Sequence, residues 1–258
     1  MKKQVLAIVI MALMTVGCAV SEKTASSRVD LPDSNEPGMS RADEEFGLFE
    51  DELAGQVVKV ADPLESSNRI MYGVNDMLYF WVAKPVAHVY KAVVPKPARI
   101  GIGNFFHNLT TPARFVNCLL QGKNQAAGRE LRRFGINTTA GVLGFGDPAH
   151  DRWALKSAEE DLGQTLAVYG LGEGFYVVLP LLGPSTLRDS VGTIGDAFLN
   201  PVRYVKPLEI SIGISAADAA NEGSFHIGEY EAFKAAAVDP YVAMRGAYIQ
   251  YRSKRIKE

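Results

Sequence analysis

Few residues of this 258-residue chain could build a metal centre or a disulfide, since it has only two cysteines, Cys18 and Cys118, and four histidines. The histidines are His88, His107, His150 and His226, and their separations do not match those of metal-ligand pairs. We therefore expect no metal and no other cofactor. Cys118 is predicted to be a buried core residue.

The chain also lacks a large surplus of charge of one sign. Its net charge of -2 combines an acidic segment, Glu22 to Glu52, that has ten acids and three bases with a body, Leu53 to Glu258, that has 22 bases and 19 acids. Three extra positive charges are too few for a nucleic-acid-binding surface. Nucleic acid is therefore not an expected partner.

The N-terminal hydrophobic run, Val5 to Val16, has about a dozen residues, which is too short to span a membrane. Because Lys2 and Lys3 precede it, residues 1–17 are predicted to be a secretory signal peptide that is removed. The sequence Thr15-Val16-Gly17-Cys18 resembles the lipobox of bacterial lipoproteins, where cleavage between Gly17 and Cys18 leaves an acylated cysteine at the new N-terminus. Threonine replaces the usual leucine, and an ordinary signal peptide with a chance cysteine is the alternative.

Residues 18–58 are rich in Ser, Asp, Glu, Pro and Gly and are predicted to form a flexible acidic tether. Ala19, where aspartate would signal retention, resembles the signal that sorts lipoproteins to the outer membrane. We place the domain at residues 59–252 and a short basic end at residues 253–258.

Patterns of catalytic residues are missing as well. Ser185 lies in Gly-Pro-Ser-Thr-Leu, which lacks the second glycine of a nucleophile elbow, so we interpret it as a helix cap. The glycine pairs at 101/103 and 170/172 are too short for a phosphate-binding loop. The pairs Asp147 with Asp151 and Glu159 with Asp161 could do acid-base chemistry, but nothing nearby marks them as perturbed. We predict that the protein is not an enzyme, and a lipid-modifying enzyme stays open as an alternative.

Apolar periodicity predicts an all-α domain of short helices broken by prolines. The first helix is predicted to begin at Asp62-Pro63-Leu64-Glu65, with Asp62 as N-cap and Glu65 completing a capping box. Its apolar face would comprise Leu64, Met71, Val74, Leu78 and Trp81, and Pro85 would end this part of the helix. The run from Phe175 to Leu179 fits the all-α class least well.

Further helices are predicted over Pro97–Leu109, Pro112–Gln121, Gln125–Thr139, Ser157–Tyr169, Ser185–Leu199, Leu208–Ala220 and from Asp239-Pro240 to the C-terminus. In the third of these, Ala126, Leu131 and Phe134 are predicted to face inward. Its arginines, Arg129, Arg132 and Arg133, would then lie outside or at an interface. A capping box formed by Ser157 and Glu160 is predicted to open the fourth.

The stretch from Gly174 to Asp189 combines an uncharged apolar run, Phe175 to Leu182, with two prolines. It is far shorter than the ~20 residues of a spanning helix. A buried core loop and a segment that dips into a membrane both fit this composition. Arg188 and Asp189 would mark its return to a polar surface.

Many short motifs of the body, in one order, resemble the MlaA (VacJ) family of outer-membrane lipoproteins. They include Asp62-Pro63-Leu64-Glu65, Asn68-Arg69, Asn75-Asp76, Val94-Pro95-Lys96-Pro97-Ala98-Arg99, Asn104-Phe105-Phe106-His107-Asn108-Leu109, Val116-Asn117, Arg133-Phe134, Asn137-Thr138, Leu179-Pro180-Leu181-Leu182-Gly183-Pro184-Ser185-Thr186-Leu187-Arg188-Asp189 and Asp239-Pro240-Tyr241. The resemblance covers about residues 59 to 252. Ser66-Ser67 and the long tether depart from the family pattern.

This resemblance implies a single ring-shaped, monotopic helical domain in the inner leaflet of the outer membrane, on its periplasmic side. Such proteins pass mislocalised phospholipid from the outer leaflet through an amphipathic channel to a periplasmic lipid carrier, and they associate with trimeric porins. The alternative is an adaptor that organises a porin without transport. Candidate channel or structural residues are Asn68, Asn75, Arg99, Asn104, Asn108, Asn117, Arg133, Asn137, Leu179, Pro180, Leu181, Leu182, Arg188 and Asp189. For each asparagine, the competing interpretation is that it caps a helix or ties loops together. For Arg188, the competing interpretation is that it pairs with Asp189.

Overall fold

The structure, a computed structural model, describes residues 61–257, so the predicted signal peptide and the whole predicted tether with Cys18 lie outside the described residues. In chain order the α-helices are α1 (Glu65–Leu78), α2 (Lys84–Val93), α3 (Lys96–Leu109), α4 (Thr111–Leu120), α5 (Asn124–Thr139), α6 (Pro148–Trp153), α7 (Leu162–Val168), α8 (Leu187–Ala197), α9 (Leu208–Gly223), α10 (Glu229–Ala236) and α11 (Pro240–Lys257). A π-helical segment (Tyr79–Ala83) joins α1 to α2, and a 3-10 helix (Pro201–Tyr204) precedes α9. The all-α prediction is confirmed, and within residues 61–257 each helix is too short or too polar to cross a membrane.

Two strands, β1 (Tyr176–Leu179) and β2 (Gly183–Thr186), form an antiparallel hairpin between α7 and α8. The expectation that no strands would form is therefore wrong at the segment that fitted it least well. Pro184 stands in β2 opposite Val178, and a proline is tolerated there because a two-stranded hairpin consists only of edge strands.

The helix starts at α3, α4, α5 and α11 agree with the sequence-based prediction to within a residue. Asp239 caps α11 as predicted, because its Oδ1 accepts from the backbone N–H of Tyr241 at 3.0 Å and of Val242 at 3.1 Å. Helices α2, α6 and α10 were not predicted. Each is short, and α6 lies directly after a glycine-rich stretch.

Three predicted caps are wrong. Helix α1 begins at Glu65 without a side-chain cap, because the Asp62 carboxylate instead binds Asn68, Tyr241 and Arg245. At α7 the cap is Asp161, whose carboxylate accepts from Gln164 N–H at 2.8 Å. At α8 the cap is Thr186, the last residue of β2, and not Ser185, which was predicted and lies one residue earlier in the same strand.

Pro85 does not end the first helix, as the sequence had suggested, but lies in the first turn of α2. A proline lacks the N–H that would bond the carbonyl of Trp81, four residues earlier, and its ring would clash with that carbonyl. The π-helical segment, which contains Trp81, relieves this conflict by holding one extra residue in the turn. Helices α1 and α2 therefore form one continuous helical rod.

Polar side chains fill much of the interior. Helix α5 shows this most clearly, since its buried residues are Ala127, Glu130, Arg133 and Asn137, whereas Leu131 is 57% exposed. The prediction that Leu131 and Phe134 face inward and Arg133 outward is therefore wrong. Burial of this polar face is possible because Glu130 pairs with Arg114 at 2.9 Å and Arg133 with Asp147 at 2.7 Å.

Apolar side chains are correspondingly common on the surface. The rod carries a row of them, which we call the apolar stripe: Ile70, Val74, Met77, Trp81, Val86, Val89 and Val93. Successive members are three or four residues apart, as on one helix face, except for the step of five between Trp81 and Val86. That step spans the π-helical segment, whose extra residue keeps both halves of the stripe on the same side.

Candidate functional site

The tip of the hairpin presents two leucines to its surroundings. Leu181 is 81% exposed and Leu182 is 68% exposed, although both follow a strand whose Val178 is buried. Leu181 has a positive φ of 67°, a conformation that is unfavourable for a branched side chain. Side chains from α1 hold the tip in this position.

Asn68 and Asn75 attach β1 to α1. Asn68 donates to Tyr176 O at 3.0 Å and accepts from Val178 N–H at 2.9 Å, and Asn75 donates to Leu179 O and accepts from Leu181 N–H, both at 2.8 Å. Two helical turns advance about 10.5 Å, and three strand residues advance about 10 Å. The seven-residue spacing of the asparagines therefore matches the three-residue spacing of the carbonyls that they bind.

A buried ionic cluster lies behind β2. Asp189 accepts from Arg252 at 2.9 and 3.0 Å, from Tyr248 OH at 2.8 Å and from Arg188 at 3.1 Å. Arg252 also donates to Asp161, at 2.9 Å. Burial alone would raise the pKa of Asp189 and Asp161, but the hydrogen bonds and charge of Arg252 lower both below the ordinary value. The cluster thus ties α7, α8 and α11 together as ionised groups.

Two cavities meet at the hairpin tip. The larger, about 550 Å³, is lined mainly by polar and charged residues, with apolar groups among them, from α4, α7, α8, the 3-10 helix, α9 and α11; they include Arg114, Asp161, Asp196, Arg203 and Tyr251. The smaller, about 280 Å³, is mostly apolar and lies between the tip and the middle of the rod, where α1 meets the π-helical segment. Leu182 lines both cavities, so the boundary between polar and apolar surroundings falls at this side chain.

The remaining candidate residues are distributed through the domain rather than gathered at the tip. Arg99, Asn104 and Arg133 line a third cavity of about 620 Å³ together with His107, His150 and His226. Asn108 bonds Thr138, Asn117 bonds Asp196 and Asn137 bonds Asp147, and each of these contacts joins one helix to another segment. Leu179 and Pro180 precede the exposed tip. Among residues 61–257, no group of three or more histidine, cysteine, aspartate or glutamate side chains is arranged to hold a metal ion.

Arg252 and Asp161 are central to the ionic cluster, but Arg252 was not singled out from the sequence and Asp161 was considered only as a possible acid-base partner of Glu159. A signal for Arg252 exists, because Tyr241, Arg245, Tyr248 and Arg252 follow each other at steps of four, three and four residues on one face of α11. Asp161 caps Gln164, three residues later, but its partner in the cluster, Arg252, lies 91 residues away, and no local pattern marks that contact.

A family model described as MlaA lipoprotein matches residues 60–255. This chain belongs to the MlaA lipoprotein family. The resemblance drawn from its short motifs is therefore confirmed, and the matched range agrees closely with the residues that carry those motifs.

Individual members of the MlaA lipoprotein family agree over most of their length. The proteins named "Intermembrane phospholipid transport system lipoprotein MlaA" from Shigella flexneri and Escherichia coli (strain K12) are 37% and 36% identical to this chain over 193 residues, which is 74% of this chain and 76% of each relative. The protein of that name from Haemophilus influenzae is 32% identical over 206 residues, 76% of this chain and 79% of the relative.

A solved structure described as "Structural basis for maintenance of bacterial outer membrane lipid asymmetry" is similar in fold. Its TM-score is 0.68 at 33% sequence identity, and the match covers 76% of this chain and 99% of that chain. The likeness therefore extends to the arrangement of helices as well as to the sequence.

Proposed function

We propose that this protein is a non-enzymatic conduit that removes mislocalised phospholipid from the outer leaflet of the outer membrane, hands it to a periplasmic carrier and so maintains lipid asymmetry. The observation that carries the proposal is the meeting, at Leu182, of a cavity that many polar and charged residues line with a mostly apolar cavity. A phospholipid has a charged headgroup and apolar tails, so a path for it needs both kinds of wall side by side. Relatives named as phospholipid transport lipoproteins support the same assignment.

The distribution of apolar side chains supports a domain embedded on the periplasmic side of the outer membrane. Trp81 is 80% exposed and Val93 is 74% exposed, whereas Glu130 and Asn221 are fully buried. In water an exposed stripe of this length would be costly, and contact with lipid tails removes that cost. Acylation of Cys18 would add an anchor that the short helices do not provide.

Partners follow from the direction of transfer. A lipid that leaves the channel in the periplasm needs a soluble carrier, and access to the outer leaflet suits association with a trimeric porin. We propose both partners. Because neither requires reaction chemistry, Ser185 and the histidines are expected to be dispensable for transport.

Photo-crosslinking at the hairpin tests the proposal. A photoreactive residue at Leu182, in the full chain in its native membrane, is expected to capture phospholipid. The same residue at Val178 is a matched control four positions away, because Val178 is only 5% exposed and packs in the core. Strains that lack the protein are expected to accumulate phospholipid in the outer leaflet.

The adaptor alternative gives a different result in the same experiment. If position 182 captures a porin but no phospholipid, and the outer leaflet of the deletion strain is unchanged, the conduit proposal is wrong. Lipid capture at position 182 together with outer-leaflet accumulation in the deletion strain would support the conduit.

A further inference from the structure

A separate polar cavity of about 620 Å³ lies at the N-terminus of α5, and we call it the α5 cavity. Its wall contains the first turn of α5, the segment before α7 and the last turns of α11. Three cations, Lys123, Arg129 and Arg255, line it together with one carboxylate, Glu160. The lining therefore carries two more positive than negative charges and is suited to an anion.

Two unpartnered polar atoms belong to residues that line this cavity. They are Arg129 Nε and Glu160 Oε2, both buried and without a hydrogen-bond partner in the described part of the chain. Glu160 is only 8% exposed, and its other oxygen, Oε1, accepts from Lys123 Nζ at 2.7 Å. A buried carboxylate oxygen left without a donor is costly, so these atoms indicate a ligand that supplies the missing bonds.

The backbone offers further donors to the same ligand. Helix α5 has no side-chain cap, and the N–H groups of Gln125 and Ala126 in its first turn have no acceptor in the described part of the chain. Both residues line the cavity. Free N–H groups and the helix dipole at such an end favour a phosphate group.

The ligand must satisfy both kinds of group. Phosphate oxygens would accept from Arg129 and the α5 backbone, whereas Glu160 Oε2 needs a donor, for which a primary ammonium gives the strongest, charge-assisted bond. We propose that the α5 cavity binds a phosphodiester headgroup that carries a primary ammonium, as in phosphatidylethanolamine. This inference rests on the proposed function, because Glu160 and Arg255 also line the 550 Å³ cavity through which the lipid would arrive.

Binding of water-soluble headgroups to the purified full chain, in a detergent that contains no phosphate, tests the proposal by calorimetry. Glycerophosphoethanolamine is expected to bind at least about tenfold more tightly than glycerophosphocholine, whose trimethylammonium has no N–H to donate. Glu160→Gln should abolish this preference, and Arg129→Met should weaken both ligands by about tenfold or more.

Lys84→Met is the control for Arg129→Met, because it also replaces a cation by methionine, and the ion pair of Lys84 with Glu231, at 2.6 Å, lies away from the cavity. It should leave binding of both headgroups unchanged. If circular dichroism shows that Glu160→Gln does not fold, two results still test the proposal. They are the preference of the unaltered protein for glycerophosphoethanolamine and the effect of Arg129→Met on binding.

Three outcomes would overturn the proposal: equal binding of the two headgroups, tighter binding of inorganic phosphate than of either, or unchanged binding in Arg129→Met. The second would identify a site for free phosphate instead. Lipid capture at position 182 does not depend on these ligands. Failure of the headgroup assay with lipid capture intact would therefore reject the α5 cavity as a headgroup site and leave the conduit proposal standing.

Discussion

At the scale of single side chains, Asn68 joins the start of the domain, α1 and the hairpin. Its amide binds Tyr176 O, Val178 N–H and Asp62, and the side chain is only 2% exposed. Asn68→Ala is expected to lower the free energy of unfolding by about 3 kcal/mol, because it leaves buried backbone groups without partners. Chemical denaturation measures this change.

Asn75→Ala is the comparison for this prediction. Asn75 makes the equivalent pair of bonds nearer the exposed tip, where water can replace the amide, so the loss should be smaller. Hydrogen exchange at Val178 should rise markedly in Asn68→Ala and little in Asn75→Ala. Equal stability of Asn68→Ala and the unaltered protein would contradict the role assigned to this side chain.

Arg252 determines how stability depends on pH. Because Arg252 holds the pKa of Asp161 and Asp189 below the ordinary value of 3.8, both carboxylates stabilise the fold above that pH and lose this contribution as the pH falls through their folded-state pKa. Stability of the unaltered protein should be level near neutral pH and drop below about pH 4.

In Arg252→Met the buried carboxylates lose their partner, so the free energy of unfolding at pH 7 should fall by about 3–5 kcal/mol and depend less on acid pH. Arg69→Met is the control, since the ion pairs of Arg69 with Glu65 and Asp239 are exposed to solvent and are expected to contribute far less to stability. Denaturation midpoints at three pH values distinguish the two. An acid dependence that persists unchanged in Arg252→Met would show that other carboxylates cause it.

At the scale of elements, α7 and α8 touch through their backbones at Gly163 and Gly192. A Cβ atom on Gly192 would lie 2.4 Å from Gly163 N and 2.8 Å from Gly163 Cα, so Gly192→Ala must push the helices apart. We expect a loss of about 1–3 kcal/mol in thermal or chemical unfolding. The shift would also disturb the ionic cluster, because Asp161 and Asp189 belong to these same two helices.

Gly135→Ala provides the opposite case. Gly135 lies within α5, and a Cβ atom there would meet nothing within 4 Å. The substitution should raise stability by about 0.5–1 kcal/mol, since alanine is the better helix former. If the two glycine substitutions had the same effect, close approach of α7 and α8 would not be the reason for Gly192.

Local signals explain which elements the sequence could predict. Prolines at the first turn fix the starts of α3 and α4, and Asp239-Pro240 fixes that of α11, because these residues act within one helical turn. Asp62 is likewise followed by a proline, but its carboxylate binds Tyr241 and Arg245 near the other end of the chain and does not cap α1. Long-range contacts of this kind override a local cap and cannot be seen in a short window of sequence.

The site was predictable to a similar degree. Leu181 and Leu182 were identified as candidates from their apolar run, but their exposure depends on bonds from α1, about 105 residues away. The inward and outward faces of α5 were reversed for a different reason. Apolar periodicity predicts that the apolar face lies inside, but here the ion pairs of Glu130 with Arg114 and of Arg133 with Asp147 hold the polar face in the interior.

At the scale of the whole molecule, the apolar stripe predicts binding to lipid surfaces. Val89→Lys places a charge in the stripe, whereas His88→Lys places the same charge one residue away, outside it. Binding to uncharged phosphatidylcholine vesicles should weaken by at least about tenfold in the first variant and stay unchanged in the second. Flotation of the full chain with Cys18→Ala measures binding without an acyl anchor.

The same variants must remain folded for this comparison to report on lipid binding. Because position 89 is 65% exposed, Val89→Lys should leave the thermal midpoint in detergent unchanged. Equal vesicle binding by both variants would mean that the stripe does not contact lipid and would favour a protein partner on that face.

Cys118 gives the molecule an internal reporter of opening. Its thiol is completely buried, and burial, with a smaller contribution from the charges of Glu160 and Glu130, raises its pKa to about 11. In the closed protein such a thiol barely reacts with maleimides or disulfide reagents. A cysteine introduced at the exposed position 182 can therefore carry a fluorophore or spin label with Cys118 left in place. In unlabelled protein, slow modification of Cys118 measures how often α4 separates from its neighbours.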